Sequence, residues 1–305
     1  MNKQFKVTIL GSSAAVSAHG RSQSGLVLSV GNKNFLIDCG EGTQNRLEKY
    51  KISTEKLEVI FISHLHADHY LGVFGLISTM GLRGRKKTLR IIAPIGLREI
   101  ISVQLKYSRT ILPFELIIQE VTDREVVFET EAIKVFSFPL SHRITTFGYR
   151  FEEAVGQRRL KMDLVPPYFS IDQLKQLKQG LDVEINKQSF KFKDLTQAPP
   201  LPRSFAYASD TRPFPELNDY LKDVDLLYHE ATFDESLKER AHKTYHSTAK
   251  QAAIVAFQSN VKTLLIGHFS ARYKELDILL NEAKTIFDQT ILAQEGLNIE
   301  VEKRS

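Results

Sequence analysis

The segment "SHLHADH", residues 63–69, places three histidines and an aspartate directly after the apolar run "LEVIFI". His64 and His66 are two positions apart, so on an extended chain their side chains point the same way and can bind one ion. Asp68 and His69 follow where a turn is expected, and they can face a second ion. Histidines held only by hydrogen bonds are the alternative interpretation, but this close grouping favours a metal site.

Three later apolar runs also end at a possible ligand. "KVFSFPLS" leads to His142, "SFAYAS" leads to Asp210, and "TLLIG" leads to His268. Because strand ends meet at one edge of a sheet, these side chains can meet those of residues 64–69. His142 could complete the first site and His268 the second, with Asp210 between them. Imidazole and carboxylate ligands without a thiolate suit zinc best, with manganese or iron possible.

A pair of such ions about 3.5–4 Å apart can hold a hydroxide and stabilise a displaced oxygen. The pattern therefore predicts hydrolysis of a phosphoryl or acyl ester. Asp68 is placed both to bind a metal and to orient or deprotonate the attacking water. The alternative is a non-enzymatic RNA-binding protein with structural zinc, which usually has four protein ligands and no open position.

The segments that must position these residues alternate between strands and helices. Nine short β-rich runs are separated by predicted helices at 43–51, 96–107, 170–179, 248–258 and 274–287. Thr248 and Gln251 form a predicted capping box at the start of one helix. This alternation predicts an α/β protein with layered sheets and helices.

Residues 152–180 interrupt the alternation and contain Pro166-Pro167. We predict one domain over 1–305, with 152–180 as an inserted arm that ends in a short helix. Arg158, Arg159 and Lys161 lie in this arm, where their charges suit contacts with phosphate.

The composition limits the class of protein. The chain has 305 residues, 41 basic and 36 acidic, and a net charge of +5, which favours a polyanionic partner unless the charges are only solvated surface. Cys39 is the single cysteine, so an intramolecular disulfide is excluded and a reducing compartment is indicated. No apolar run reaches the length of a membrane helix. We therefore expect a soluble cytoplasmic protein.

The order His-x-His-x-Asp-His, followed by His142, Asp210 and His268, resembles the metallo-β-lactamase superfamily. That resemblance implies a four-layer αβ/βα sandwich with two metal ions at one edge. Four further segments resemble the ribonuclease Z family of tRNA 3′-processing endonucleases. They are "DCGEGTQNRL" at 38–47, "HEATF" at 229–233, "YHST" at 245–248 and "GHFSARY" at 267–273.

The resemblance implies a reaction and roles for several residues. The family cleaves precursor tRNA just 3′ of the discriminator base, leaving a 3′-hydroxyl on the tRNA and a 5′-phosphate on the trailer. It implies two Zn²⁺ per subunit, with Mn²⁺ possible, and a homodimer. By the same resemblance, His246 protonates the leaving oxygen and Glu230 orients His246. The alternative roles are structural: His246 helps to organise the start of the next helix, and Glu230 bonds to a metal-bound histidine. Arg272 is either a phosphate contact or a surface arginine.

Two segments depart from the family pattern. "VSAHGRSQS", 16–24, replaces a Pro-x-Lys-x-Arg-Asn loop, and Arg21 is the counterpart of its arginine as a substrate contact. The arm lacks the Gly-Pro signature of the family's tRNA-binding exosite. These departures keep open a small-molecule phosphodiesterase or sulfatase on the same di-zinc scaffold.

Overall fold

A computed structural model describes residues 4–302 of the chain. These residues form two compact units. The larger consists of residues 4–152 and Ser204–Glu302, and the smaller, which we call the arm unit, is Glu153–Arg203. Within the described range, no helix has both the length and the apolar character needed to cross a membrane.

The first half of the larger unit follows the predicted alternation. Its strands are β1 (Phe5–Gly11), β2 (Gly25–Val30), β3 (Lys33–Ile37), β4 (Leu57–Phe61), β5 (Leu89–Pro94) and β6 (Leu116–Val121). Its helices are α1 (Thr43–Lys49), α2 (Ala67–Tyr70), α3 (Gly72–Leu82) and α4 (Leu97–Tyr107). Helix α3 was not predicted, because its sequence is mostly apolar and contains glycines, which weaken helices. Gly72 is needed there, since a Cβ would lie 2.0 Å from the Gly40 carbonyl oxygen.

The chain continues with β7 (Val126–Glu129), β8 (Ile133–Pro139) and β9 (Phe147–Glu153). The arm unit then contains β10 (Arg159–Leu160), α5 (Ile171–Lys178), β11 (Val183–Ile185), β12 (Gln188–Phe190), α6 (Phe192–Leu195) and β13 (Thr196–Gln197). Its small core is formed by Phe169, Leu177, Val183 and Leu195. The predicted short helix is α5, but the compact unit continues past residue 180 because Val183 and Leu195 belong to the same core.

The second half of the larger unit completes the fold. Its elements are β14 (Ser204–Ala208), α7 (Leu217–Leu221), β15 (Leu226–Glu230), α8 (Lys238–Thr244), α9 (Ala249–Gln258), β16 (Thr263–Gly267), α10 (Asp277–Lys284), β17 (Thr290–Leu292) and β18 (Asn298–Glu300). The predicted capping box of α9 is confirmed, since the Thr248 hydroxyl accepts from the Gln251 N–H and the Gln251 side chain accepts from the Thr248 N–H.

Two seven-stranded mixed sheets form the centre of the larger unit. Their strand orders are β18-β1-β2-β3-β4-β5-β6 and β17-β16-β15-β14-β9-β8-β7. Apolar side chains from the facing surfaces form one core, in which Phe61 of β4 contacts Phe151 of β9 with ring centroids 5.1 Å apart. Helix α3 covers the outer face of the first sheet, and α9 covers that of the second. The predicted four-layer α/β sandwich is therefore confirmed.

Candidate metal centre

The candidate ligands follow the ends of strands in the larger unit. His64 comes after β4, His142 after β8, Asp210 after β14 and His268 after β16. Asp210 and His268 have φ angles of 60° and 56°, in the left-handed region that favours glycine. Non-glycine residues adopt this conformation where the surrounding structure requires it, often at functional sites.

The first group of ligand atoms contains three histidine nitrogens. His66 Nδ1 lies 3.0 Å from His64 Nε2 and 3.3 Å from His142 Nε2. Asp210 Oδ1 lies 3.9 Å from both His64 Nε2 and His142 Nε2. These four residues together can hold one cation.

The second group uses the other Asp210 oxygen. His69 Nε2 and His268 Nε2 are 3.3 Å apart, and Asp210 Oδ2 lies 3.1 Å from the first and 3.3 Å from the second. Asp68 Oδ2 lies 3.3 Å from His69 Nε2 and 3.6 Å from His268 Nε2. Asp210 thus contributes one oxygen to each group, and all seven predicted ligands lie together.

Asp38 orients two of these histidines. Its Oδ2 accepts hydrogen bonds from His69 Nδ1 (2.7 Å), the Ser63 hydroxyl (2.9 Å) and the Tyr207 hydroxyl (2.7 Å), while Oδ1 accepts from the Ser63 N–H (2.7 Å). Since the Ser63 hydroxyl donates to Asp38, it accepts from His64 Nδ1 at 2.9 Å. Both histidines therefore use Nδ1 as a donor, which leaves Nε2 facing the centre as the nitrogen that can bind a metal.

Two other histidines are oriented in the same way. His268 Nδ1 donates to the Thr232 hydroxyl at 3.0 Å, and that hydroxyl donates to Glu230 Oε2 at 2.6 Å. His142 Nδ1 donates to the Tyr245 carbonyl at 3.2 Å. Four imidazoles thus direct their Nε2 atoms at one another and at carboxylates, an arrangement that a divalent cation stabilises.

The charges at the centre also favour a cation. Burial lowers the pKa of His64, His66 and His142, so these rings are neutral ligands near neutral pH. Burial alone would lower the pKa of His69 as well, but Asp210, Asp68 and Asp38 raise it well above its usual value. Three buried carboxylates therefore converge on one ring, and a bound ion would compensate their charge. The residues present fit a divalent metal.

Glu230 and His246 form a hydrogen-bonded pair beside the ligands. Glu230 is fully buried, and its Oε1 accepts from His246 Nδ1 at 2.9 Å. Burial would lower the pKa of His246, but the charge and hydrogen bond of Glu230 raise it to about 9. The His246 ring centroid lies 5.3 Å from that of His142 and 5.5 Å from that of His268. A protonated imidazole thus stands next to both ligand groups.

The predicted RNA contacts differ in their availability. Arg272 is exposed and its guanidinium lies over the Phe233 ring at 5.0 Å. Arg21 is only 8% exposed and donates to the carbonyls of Tyr273 and Lys274, so the structure uses it to hold the loop that carries Arg272. Arg21 therefore matches a substrate contact in sequence, but its side chain is buried and its guanidinium is already bonded to this loop.

Within the arm unit the three basic residues also have separate environments. Arg158 donates to the Thr196 hydroxyl and stacks on Phe192 at 4.8 Å. Lys161 donates to the Asp194 carbonyl at 3.1 Å. Arg159 is exposed and is therefore the residue of the three that is most accessible for a phosphate contact.

Several residues that support the centre were not predicted from the sequence. Ser63 and Thr232 transmit hydrogen bonds to ligand histidines, and the Ala15 N–H donates to Asp68 Oδ2 at 2.8 Å from a left-handed backbone. The position of Ser63 beside His64 was a usable signal, because hydroxyls next to ligands often orient them. The role of Ala15 had no side-chain signal, since only its backbone is used.

The two-sheet fold and its seven-residue centre define a hydrolase of the metallo-β-lactamase fold. The solved Bacillus subtilis protein YhfI of that fold aligns with a TM-score of 0.70 at 18% identity, covering 98% of this chain and 100% of the other. A family model described as "Anti-Pycsar protein Apyc1" matches residues 5–136.

The relatives define the family more closely. A protein named Ribonuclease Z from Bacteroides fragilis (strain YCH46) is 42% identical over 301 residues, covering 97% of this chain and 99% of its own. Its namesake from Cytophaga hutchinsonii is 43% identical, covering 98% and 97%. The crystal structure of the short form of human tRNase Z aligns with a TM-score of 0.73 at 26% identity, covering 97% and 99%. The chain belongs to the ribonuclease Z family, as the sequence motifs indicated, and is a metal-dependent hydrolase.

Proposed function

We propose that the protein is an endoribonuclease that cleaves precursor tRNA immediately 3′ of the discriminator base. The products would be a tRNA with a 3′-hydroxyl and a trailer with a 5′-phosphate. The observation that carries the proposal is the Glu230–His246 pair beside the metal centre, because cleavage of a phosphodiester needs a proton donor for the leaving oxygen. Family membership supports RNA as the substrate.

We propose two Zn²⁺ ions, with Mn²⁺ as a substitute, for the two ligand groups. In a tetrahedral site with Zn–N bonds of about 2.0–2.1 Å, neighbouring ligand atoms lie about 3.3 Å apart. The observed distances between ligand atoms are similar. His66 Nδ1 lies 3.0–3.3 Å from the Nε2 atoms of His64 and His142. The ligand atoms of Asp68, His69 and His268 lie 3.3–3.6 Å from one another. When bound, the ions would acidify the attacking water and neutralise charge on the phosphate.

Asp68 and His246 would act on opposite sides of the reaction, Asp68 on the attacking water and His246 on the leaving oxygen. Burial alone would raise the pKa of Asp68, but the charges of His69 and His268 hold it well below its usual range. This favours a carboxylate that binds metal and orients the water over one that keeps the proton as a base. His246 is protonated near neutral pH and would donate to the leaving 3′-oxygen, while Glu230 holds its Nδ1 proton.

Cationic side chains of each unit would bind the RNA backbone. Arg272 is the candidate in the larger unit and Arg159 in the arm unit, with Arg158 and Lys161 contributing charge. We propose that the arm grips the tRNA, that the working form is a homodimer and that it acts in the cytoplasm. Light scattering of the purified protein would test the dimer.

The experiment compares precursor tRNA with bis(p-nitrophenyl) phosphate as substrates, with zinc or manganese present. The wild type should cut the precursor at the acceptor-stem junction, and Asp68→Ala should abolish turnover of both substrates while RNA binding remains. Arg159→Glu should raise KM for the precursor and leave hydrolysis of the small diester unchanged. No cleavage at the junction by the wild type would refute the proposal.

A small-molecule phosphodiesterase or sulfatase is the second candidate, favoured by the buried position of Arg21. If this second function is correct, the protein should hydrolyse small diesters or aryl sulfates rapidly and should cut RNA slowly and without specificity. The same pair of substrates, with an aryl sulfate added, separates the two candidates.

A further inference from the structure

Helix α8 ends at an unexpected residue. Tyr245 follows the helix with φ 61° and ψ 41°, in the left-handed region. Its N–H donates to the His242 carbonyl at 3.3 Å, and the N–H of His246 donates to the Ala241 carbonyl at 2.8 Å. This is the Schellman pattern, in which the left-handed position is usually glycine because a side chain is unfavourable there. A tyrosine at this position suggests that its ring is used.

The ring of Tyr245 lies between a guanidinium and a candidate metal ligand. The Cζ atom of Arg212 is 4.3 Å from the Tyr245 ring centroid. On another side, the His142 ring stands perpendicular to it with centroids 6.5 Å apart. The carbonyl of Tyr245 also accepts the Nδ1 hydrogen bond of His142. Tyr245 thus contacts His142 with both ring and backbone, and His246 is the next residue.

Arg212 is fixed to the segment before His142. Its backbone N–H donates to the Ser141 carbonyl at 3.2 Å, and its Nε donates to the Ser141 hydroxyl at 3.2 Å. Arg212 also follows Asp210 by two positions. Its contacts therefore join the segments that carry His142, Asp210 and His246.

We propose that Arg212 and Tyr245 form a positioning pair that keeps His142 and His246 at their observed spacing. Without the stack, the left-handed backbone at 245 is free to relax, and its carbonyl leaves His142. A displacement of about 1 Å at a reacting centre can reduce the rate roughly 100-fold. The inference rests on the proposed hydrolysis at the metal centre, but not on tRNA as the substrate.

The test uses Arg212→Leu, Tyr245→Leu and the double variant. Tyr245→Leu removes the ring and its stack but leaves a side chain that disfavours the left-handed backbone, so the backbone at 245 can relax, and thermal melting checks that the fold is retained. Arg124→Leu is the matched control, because Arg124 also stacks on a tyrosine, Tyr220, at 5.1 Å but contacts none of the candidate ligands. The measurements are kcat and KM on precursor tRNA and on bis(p-nitrophenyl) phosphate, and zinc affinity by competition with a chromophoric chelator.

The proposal expects each single variant to lower kcat about 10- to 100-fold on both substrates, as for other residues that orient metal ligands. One of the two zinc equivalents should bind about 10-fold more weakly, and the double variant should be little worse than either single. The control should behave as wild type.

Three results would overturn the proposal. The first is unchanged rates and zinc affinity in the single variants. The second is additive losses in the double variant. The third is a loss of activity on RNA alone with normal zinc binding, because Arg212 would then be an RNA contact. If the wild type hydrolyses the small diester but leaves precursor tRNA intact, the proposed function fails. The positioning pair is then still tested on the diester and on zinc.

Discussion

Replacing Asp38 with asparagine should lower the zinc affinity of the centre, although Asp38 is not itself one of the candidate metal ligands. Oδ2 of Asp38 accepts three hydrogen bonds and Oδ1 accepts one, from the Ser63 N–H. The side-chain carbonyl of the introduced asparagine should therefore take the Oδ2 position and turn its amide group toward that N–H. Burial and the charge of Asp38 raise the pKa of Tyr207 well above its usual value, so this hydroxyl remains a donor.

The size of the effect follows from the bonds that change. One buried hydrogen bond is lost and the bond to His69 is no longer to a charged acceptor, which is worth about 1.5–3 kcal/mol. At about 1.4 kcal/mol per factor of ten, zinc affinity should fall roughly 10- to 100-fold. The loss should fall on the zinc equivalent bound by His69, because that ring contacts Asp38 directly.

The assay is chelator competition on purified wild type and Asp38→Asn. Asp225→Asn is the matched control, since Asp225 is also buried and accepts from both the N–H and the hydroxyl of one serine, Ser204. The control should lose stability but keep its zinc affinity. If Asp38→Asn binds both zinc equivalents as tightly as wild type, the proposed role of Asp38 in orienting His69 is incorrect.

Three further outcomes are expected. Because Glu230 raises the pKa of His246 to about 9, the protonated acid is lost as pH rises through that value; Glu230→Gln should move the alkaline limb of the kcat–pH profile to lower pH. Thr232→Val should lower kcat and zinc affinity about 10-fold through His268, while Thr232→Ser stays near wild type, as chelator competition and kinetics would show. Phe61→Ala should lower the free energy of unfolding by about 3–5 kcal/mol in urea titrations, since it empties the core between the sheets.

Much of the fold could be predicted because most of its longer strands are short β-rich runs that are separated by helical segments. The capping box at Thr248 identified α9. Helix α3 was missed, since burial against the first sheet and the close approach at Gly72 outweigh its poor intrinsic propensity. That compensation is tertiary and has no local signature.

The cluster of candidate ligands could be predicted because these residues follow strand ends, where a parallel arrangement brings distant residues together. Two of the residues that orient them could not. Thr232 and Tyr245 act through bonds to residues that are remote in sequence or through a left-handed backbone. Arg21 shows the converse, because a sequence match to a substrate contact does not reveal that the side chain is buried.

The most direct test of the central claim is end mapping of the products from a precursor tRNA. Mass spectrometry should find a tRNA that ends at the discriminator base with a 3′-hydroxyl, together with a 5′-phosphorylated trailer. Removal of metal by a chelator should stop the reaction, and added zinc or manganese should restore it. Products ending in a 2′,3′-cyclic phosphate, or cleavage that survives removal of the metal, would contradict a metal-dependent cut with His246 as the acid.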